Sequence, residues 1–236
     1  MRVILCDSYE EISNKAAELV AAQIMLKPDC VLGLATGSSP IGMYKKLTEM
    51  NLDFSEVTTF NLDEYYPISR DNVQSYYYFM NEHLYSKVNL KPENIHIPNG
   101  QTDDVEAECS AYDEAIEECG GIDLQILGIG QNGHIGFNEP DDNLNSATHL
   151  TGLTESTIEA NARFFEKEED VPKQALTMGM STILKSRKIV LLVSGKGKHA
   201  ALAELFDNDI NTSVPATMLK VHPDVVVICD KEAYNG

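Results

Sequence analysis

Residues 122–140 read IDLQILGIGQNGHIGFNEP, and this stretch decides which kind of α/β fold the chain can adopt. Its glycines at 128–133 follow an apolar run and spell G-x-G-x-x-G, the dinucleotide-binding pattern. In that pattern the glycine turn opens a long helix, and an acidic residue ends a second strand about 20 positions later. Gly136 and Pro140 disfavour such a helix, and the text near position 153 is polar. A dinucleotide site is therefore disfavoured, and the glycines must shape a different loop.

Apolar, unalternating segments and amphipathic segments alternate along the whole chain. The strand-like segments are 2–6, 30–35, 57–62, NIHIP near 95, 122–130, 188–195 and 224–230. The helix-like segments are 9–26, 41–50, 72–87, 104–119 and 197–206. Continuous apolar strands between amphipathic helices indicate a parallel sheet covered on both faces. We therefore predict one Rossmann-like, three-layer α/β domain over residues 1–236, with a mostly parallel sheet. The polar segment 141–172 is either a mobile lid over a site or a solvated excursion.

The chain is strongly acidic, with 18 Lys+Arg against 37 Asp+Glu and a formal net charge of −19. This field repels nucleic acid and anionic membranes, so neither is expected as a partner. Five cysteines without a C-x-x-C spacing, and an N-terminus that turns acidic early, predict reduced thiols and a cytoplasmic location. No apolar run approaches the ~20 residues of a membrane span.

Unusual residues follow four of the predicted strands. These loops are TGSSP after the second strand, DEYY after the third, QNGHIGFNEP after 122–130, and KGKH after 188–195. Ligands of parallel sheets bind at the carboxyl ends of the strands, so the four loops predict one composite site.

Two of these loops have the character of anion sites. The first offers a glycine turn and three hydroxyls before a helix N-terminus, from Thr36, Gly37, Ser38 and Ser39. The alternative is an ordinary serine N-cap. In the second, Lys196 and Lys198 open a helix and oppose its dipole unless an anion lies between them. The alternative is a solvated lysine pair.

The other two loops carry acid–base candidates. Asp63 follows a buried strand and suits a general base, whereas the alternative is an acid in a surface turn. His134, with Glu139 five residues later, suits a proton relay, whereas the alternative is a structural histidine. Neither a zinc-ligand spacing nor a serine or cysteine nucleophile motif accompanies them.

Taken together, the motifs LGLATGSSP, FNLDEYY, GIGQNGHIGFNEP, ANARFF and HPDVVVICD resemble the glucosamine-6-phosphate deaminase family in order and spacing, over nearly the whole chain. The resemblance implies conversion of glucosamine 6-phosphate and water to fructose 6-phosphate and ammonia, without metal or organic cofactor. It implies that His134, held by Glu139, opens the sugar ring and that Asp63 removes the C2 proton. It also implies that the TGSS loop, Lys198 and Arg163 hold the phosphate.

The chain departs from the family pattern in two places. Asn132 stands where many members carry aspartate, so the ring-opening relay is expected to depend more on Glu139. Hexameric members activated by N-acetylglucosamine 6-phosphate have basic residues shortly after NEP and a longer C-terminus. This chain has DDNLNSATHLTG there and stops at Gly236, so we expect absent or weak activation and a simpler assembly, down to a monomer.

Two other functions compete with this interpretation. A 6-phosphogluconolactonase has a similar fold, but its motif usually continues into SLFP, so Glu139 discriminates against it. A non-catalytic sugar-phosphate sensor would carry a DNA-binding segment upstream and could dispense with Asp63, His134 and Glu139.

Overall fold

The computed structural model describes residues 1–162, 165, 167 and 171–236. Its main sheet has seven strands: β1 (Arg2–Cys6), β2 (Val31–Leu34), β3 (Thr58–Asn61), β5 (Ile95–His96), β6 (Leu124–Gly128), β9 (Ile189–Val193) and β10 (Val225–Asp230). They lie side by side in the order β1-β10-β9-β6-β2-β3-β5, and all six pairings are parallel. The remaining three, β4 (Asp63–Tyr66), β7 (His149–Gly152) and β8 (Gln174–Thr177), form a separate sheet.

Helices connect the strands of the main sheet. They are α1 (Tyr9–Leu26), α2 (Ile41–Glu49), α3 (Tyr76–His83), α4 (Val105–Glu118), α5 (Glu155–Ala162), α6 (Met180–Leu184), α7 (His199–Phe206) and α8 (Lys231–Asn235). The Ser8 hydroxyl accepts a hydrogen bond from the Glu11 N–H and so caps α1, a common role of serine before a helix. The predicted helix over 72–87 is shorter in the structure, because Ser75 caps the chain at Tyr76 and a separate 3₁₀ turn follows at Tyr85–Lys87.

The main sheet confirms the predicted α/β fold. Every residue of β2, β9 and β10 is buried, because helices cover both faces of the central strands. At the edge, β1 leaves Val3 and Leu5 exposed. One large apolar core surrounds the sheet, and a smaller cluster of Tyr65, Ile68, Phe137 and Ala175 lies apart from it.

The small sheet departs from the sequence-based expectation. The residues DEYY were expected to be the loop after β3, but they form β4, which pairs antiparallel with β8. On its other side, β8 pairs antiparallel with β7, which belongs to the segment 141–172. That segment therefore contributes a strand and the helix α5, and its expected mobility stays a prediction.

The strand order fixes where loops can meet. After β2 the chain builds outward through β3 and β5, and then returns to the other side of β2 with β6, β9 and β10. The order therefore reverses between β2 and β6, which is where open α/β sheets bind ligands.

Candidate active site

The four loops predicted to converge do meet at one cavity. The strands that precede them, β9, β6, β2 and β3, are consecutive neighbours in the main sheet. The cavity has a volume of about 890 Å³, and each of the four loops contributes to its lining. Such a volume suits a small-molecule site of the usual size.

Asp63 begins β4 at the wall of this cavity, and only 6% of the residue is exposed. Burial, followed by the neighbouring Glu64 charge, raises its pKa to about 8. The alternative of a solvated surface acid does not describe this position. In its ionised form, a carboxylate with such a pKa is a stronger base than one in open solvent, which suits a general base.

Glu64 points its carboxylate at the start of α3. Its two oxygens accept hydrogen bonds from the backbone N–H groups of Tyr65 (2.9 Å), Tyr76 (2.8 Å) and Tyr77 (3.0 Å). Burial raises its pKa to about 7, although the three N–H groups act in the opposite direction. Glu64 therefore joins β4 to α3, which brings Tyr76 to the cavity wall.

His134 lines the cavity, and Glu139 lies behind it. The His134 Nδ1 is 3.3 Å from the Glu139 Oε2, a distance typical of an ion pair, although the two atoms are not aligned as a hydrogen bond. Burial alone would raise the pKa of Glu139, but contacts with His134, Thr157 and Asn132 lower it below the ordinary value. The carboxylate is thus kept charged beside the imidazole.

Asn132 supports this pair from the same loop. Its Nδ2 donates to the Glu139 Oε2 at 2.7 Å, and its Oδ1 accepts from the backbone N–H of His134 at 3.2 Å. An aspartate in the same place would set two carboxylates against each other. The neutral amide adds no second carboxylate beside the imidazole, and the dependence of the relay on Glu139 stays a prediction.

The glycines of the 128–133 stretch serve the histidine rather than a dinucleotide. A Cβ on Gly130 would lie 2.3 Å from the His134 Cε1, so only glycine leaves room for the ring. Gly133 has a φ of +85°, in the left-handed region where glycine is favoured. The backbone then closes a tight turn, in which the Gly130 N–H donates to the His134 carbonyl at 2.9 Å.

The loop after β2 forms part of the cavity wall. Thr36, Gly37, Ser38 and Ser39 all line it. The N-cap of α2 is Pro40, which makes no side-chain capping hydrogen bond, so the alternative of a serine cap does not hold. From outside, the Tyr9 hydroxyl donates to the Ser38 carbonyl and accepts from the Gly42 N–H, each at 2.9 Å. This arrangement suits an anion.

The two lysines of KGKH differ in position. Lys198 lines the cavity, and its Nζ donates to the Ile129 carbonyl at 2.6 Å. Lys196 is exposed, and it is not among the described residues that line the cavity. Lys198 therefore connects the loop after β9 to the loop after β6, and it places a positive charge at the wall of the same cavity.

The predicted site residue Arg163 lies outside the described residues. The cavity also contains residues that the sequence did not single out, namely Tyr76, Gln131, Thr157, Glu159 and Ser194. Gln131 and Ser194 follow β6 and β9, so the rule that ligands bind at strand ends could have found them. Thr157 and Glu159 belong to α5, in the segment 141–172 that the sequence offered as a lid, but no motif singled out these two residues.

Within the described part of the chain, no group of three or more His, Cys, Asp or Glu side chains could hold a metal ion. No described helix is both long and apolar enough to cross a bilayer. All five cysteines are free thiols.

A deep carboxyl group, a histidine–carboxylate pair and an anion cradle on one α/β sheet edge define an acid–base enzyme for a small anionic substrate. The comparisons with known proteins agree. The family described as glucosamine-6-phosphate isomerases/6-phosphogluconolactonase matches residues 7–228, and the chain belongs to this family.

Individual relatives place the chain more closely. It is 58% identical to the glucosamine-6-phosphate deaminase of Halothermothrix orenii over 99% of this chain and 98% of that protein. It is 55% identical to the enzyme of the same name from Clostridioides difficile, over 99% and 95% of the two chains. A solved structure described as a monomeric glucosamine-6-phosphate deaminase superposes with a TM-score of 0.97 at 47% identity, over 100% and 99% of the chains.

The lactonases of the family are more distant. The 6-phosphogluconolactonase structure from Thermotoga maritima has a TM-score of 0.77 but 22% identity, over 98% of this chain and 99% of that one. At this identity the likeness shows a common fold alone.

Proposed function

We propose that the protein converts glucosamine 6-phosphate and water to fructose 6-phosphate and ammonia, in amino-sugar breakdown. The observation that carries the proposal is the meeting of Asp63, His134 and the TGSS loop at one cavity, in a chain 58% identical to an enzyme of that name. A lactonase is not favoured, since the lactonase structures are distant and Glu139 stands beside His134. The buried acid and the paired histidine also argue against a mere sensor.

The first step is opening of the sugar ring. A base must take the proton of the anomeric hydroxyl while the ring oxygen gains one. His134 suits this role because it lines the cavity and has an ionised carboxylate behind it. The Glu139 carboxylate stabilises the imidazolium that forms when the His134 side chain accepts this proton. Glu139 acts through His134, and Asn132 acts through Glu139.

The second step is a proton shift between two carbons. Asp63 removes the proton from C2 of the open chain, a proton returns to C1, and C2 becomes an imine. Water then adds to the imine, and ammonia leaves. C1 is reduced while C2 is oxidised, so the reaction balances without an external redox partner. We therefore propose that the protein needs neither a metal nor an organic cofactor.

The net negative charge of the protein repels the phosphate of the substrate, so the site must bind it through local donors. The TGSS loop offers hydroxyls and a helix N-terminus, and Lys198 adds a positive charge. Arg163 remains a proposed second clamp, because a guanidinium suits forked contact with phosphate oxygens. The same field supports a small-molecule substrate and argues against nucleic acid and membranes as partners.

We further propose a cytoplasmic protein that acts as a monomer. The five free thiols are consistent with a reducing compartment. The similar solved structure is described as monomeric.

The test is release of ammonia from purified protein supplied with glucosamine 6-phosphate. We expect release with this substrate, little with unphosphorylated glucosamine, and little with mannosamine 6-phosphate, whose C2 proton lies on the other face. Added chelator should have no effect. A parallel assay with 6-phosphogluconolactone tests the competing activity. Lactone hydrolysis without ammonia release would refute the proposed function.

A further inference from the structure

The Glu139 carboxylate is held on both of its oxygens. Its Oε2 accepts from the Asn132 amide at 2.7 Å and lies 3.3 Å from the His134 Nδ1. Its Oε1 accepts a hydrogen bond from the hydroxyl of Thr157. Asn132 and His134 belong to the loop after β6, whereas Thr157 comes from α5, in a segment that the sequence did not connect to the relay.

Thr157 is placed to donate. It is 5% exposed and lies in the first turn of α5, where its backbone N–H donates to the Thr154 carbonyl at 3.0 Å. The Thr154 hydroxyl donates to the Thr157 hydroxyl at 3.1 Å. Because that bond occupies an acceptor site of the Thr157 oxygen, the hydroxyl proton of Thr157 is free to point at Glu139. A carboxylate near the first turn of a helix is also electrostatically favoured.

A hydrogen bond at Oε1 fixes the plane of the Glu139 carboxylate, which the contacts at Oε2 alone cannot do. A carboxylate anchored at one oxygen can still swing about that contact, and its plane then changes relative to the imidazole. Donors on both oxygens fix the plane, so Oε2 stays opposite the His134 Nδ1. The negative charge 3.3 Å from Nδ1 favours the tautomer in which Nδ1 carries the proton, even without an aligned hydrogen bond, and this leaves the other ring nitrogen as the base.

We propose that Thr157 is a positioning residue for ring opening, whose hydroxyl fixes the Glu139 carboxylate and through it the tautomer of His134. The inference rests on the proposed function. It makes α5 a structural part of the relay, because the third support of the carboxylate comes from this helix rather than from the His134 loop.

The experiment compares Thr157→Val, which keeps the shape and removes the hydroxyl, with Thr157→Ser, which keeps the hydroxyl. Thr151→Val is the matched control, since its hydroxyl belongs to the same segment and, among the described residues, makes a long contact of 3.4 Å with the Gly152 carbonyl. If the valine variant does not fold, Thr157→Ala takes its place. We expect kcat to fall about ten-fold in the valine variant with KM within about two-fold, because one support of an acid–base pair is lost. The serine and Thr151 variants should stay within about two-fold of the wild type.

Two further readouts separate positioning from damage. Nitrogen-15 resonances of the His134 ring, identified with His134→Gln, should show one dominant tautomer in the wild type and the serine variant, and a mixture in the valine variant. Binding of the open-chain analogue 2-amino-2-deoxyglucitol 6-phosphate, which needs no ring opening, should not change.

Unchanged turnover and an unchanged tautomer in Thr157→Val would overturn the inference. So would equal losses in the valine and serine variants, which would indicate packing, or loss of analogue binding. The wild-type ammonia assay is a separate result: if it fails, the proposed function is wrong, while the tautomer measurement still decides whether Thr157 orients the pair.

Discussion

At the scale of single residues, burial raises the pKa of Asp63, the residue that we propose as the base. The residue lies at the end of the buried β3–β4 connection with Glu64 beside it, and both effects favour its protonated form. A carboxylate in open solvent is a weaker base toward a carbon-bound proton. The same burial makes the charged form of Asp63 costly for the fold.

The first prediction concerns catalysis by this residue. Asp63→Asn keeps the size of the side chain but cannot accept the C2 proton. We expect turnover to fall by at least about 100-fold, while substrate binding stays near normal. Steady-state ammonia release and equilibrium binding of the open-chain alditol phosphate measure the two effects. Near-normal turnover would remove Asp63 from the role of base.

The second prediction concerns stability. The pKa of Asp63 is raised in the fold from 3.8 to about 8, so the folded state holds its proton more tightly than the unfolded chain does. Its contribution to stability is therefore fully present below about pH 4 and is lost as the pH rises through about 8. Asp63→Asn escapes this loss, so its advantage in unfolding free energy should grow from near zero at acid pH to a few kcal/mol, in order of magnitude, above pH 8.

Denaturant unfolding of both proteins across this pH range tests the linkage. The exposed Asp142, changed to asparagine, controls for simple removal of a negative charge from an acidic chain. A difference between Asp63→Asn and wild type that is constant with pH would contradict the linkage.

At the scale of elements, each functional group lies where a strand ends or a helix begins. The TGSS loop joins β2 to α2, Asp63 starts β4, His134 follows β6, and Lys198 precedes α7. Parallel strands put all their carboxyl ends on one edge, so the geometry of the sheet itself assembles the site. The small antiparallel sheet then holds β4 beside β8 and positions Asp63.

The third prediction concerns the start of α7. Lys198→Ala removes a charge from the cavity, and Lys196→Ala removes the same charge from the exposed neighbour. We expect the Lys198 variant to raise KM more than it lowers kcat, because phosphate contact is similar in substrate and transition state. The Lys196 variant should leave both constants within about two-fold of the wild type. Equal behaviour of the two variants would show that Lys198 does not bind the phosphate.

At the scale of the whole molecule, the net negative charge opposes binding of an anionic substrate, and local groups in the proposed site compensate for it. A chain with a net charge of −19 repels a sugar phosphate at long range, so we attribute binding to short-range donors. The same net charge makes copies of the protein repel one another, which disfavours self-association.

The fourth prediction therefore concerns assembly and regulation. We expect a monomer by light scattering, hyperbolic kinetics with glucosamine 6-phosphate, and little response to N-acetylglucosamine 6-phosphate. The basic residues after NEP found in activated members are absent from DDNLNSATHLTG. Sigmoidal kinetics that the N-acetyl sugar phosphate converts to hyperbolic would refute this expectation.

The parallel sheet and the meeting of its loops could be predicted from the amino-acid sequence alone. Those properties follow from local pattern: unbroken apolar runs require two covered faces, and parallel strands align their ends. The sequence also disfavoured a dinucleotide site at the glycines of 128–133, because Gly136 and Pro140 disfavour the long helix that such a site needs.

Three features became clear from the packed structure and not before: DEYY forms a strand, Glu64 accepts hydrogen bonds from the start of α3, and Thr157 donates to Glu139. The last of these contacts joins residues 18 positions apart through a helix whose own sequence pattern carries no sign of a partner. The burial that raises the pKa of Asp63 is likewise a property of packing from several elements, and no spacing along the chain encodes it.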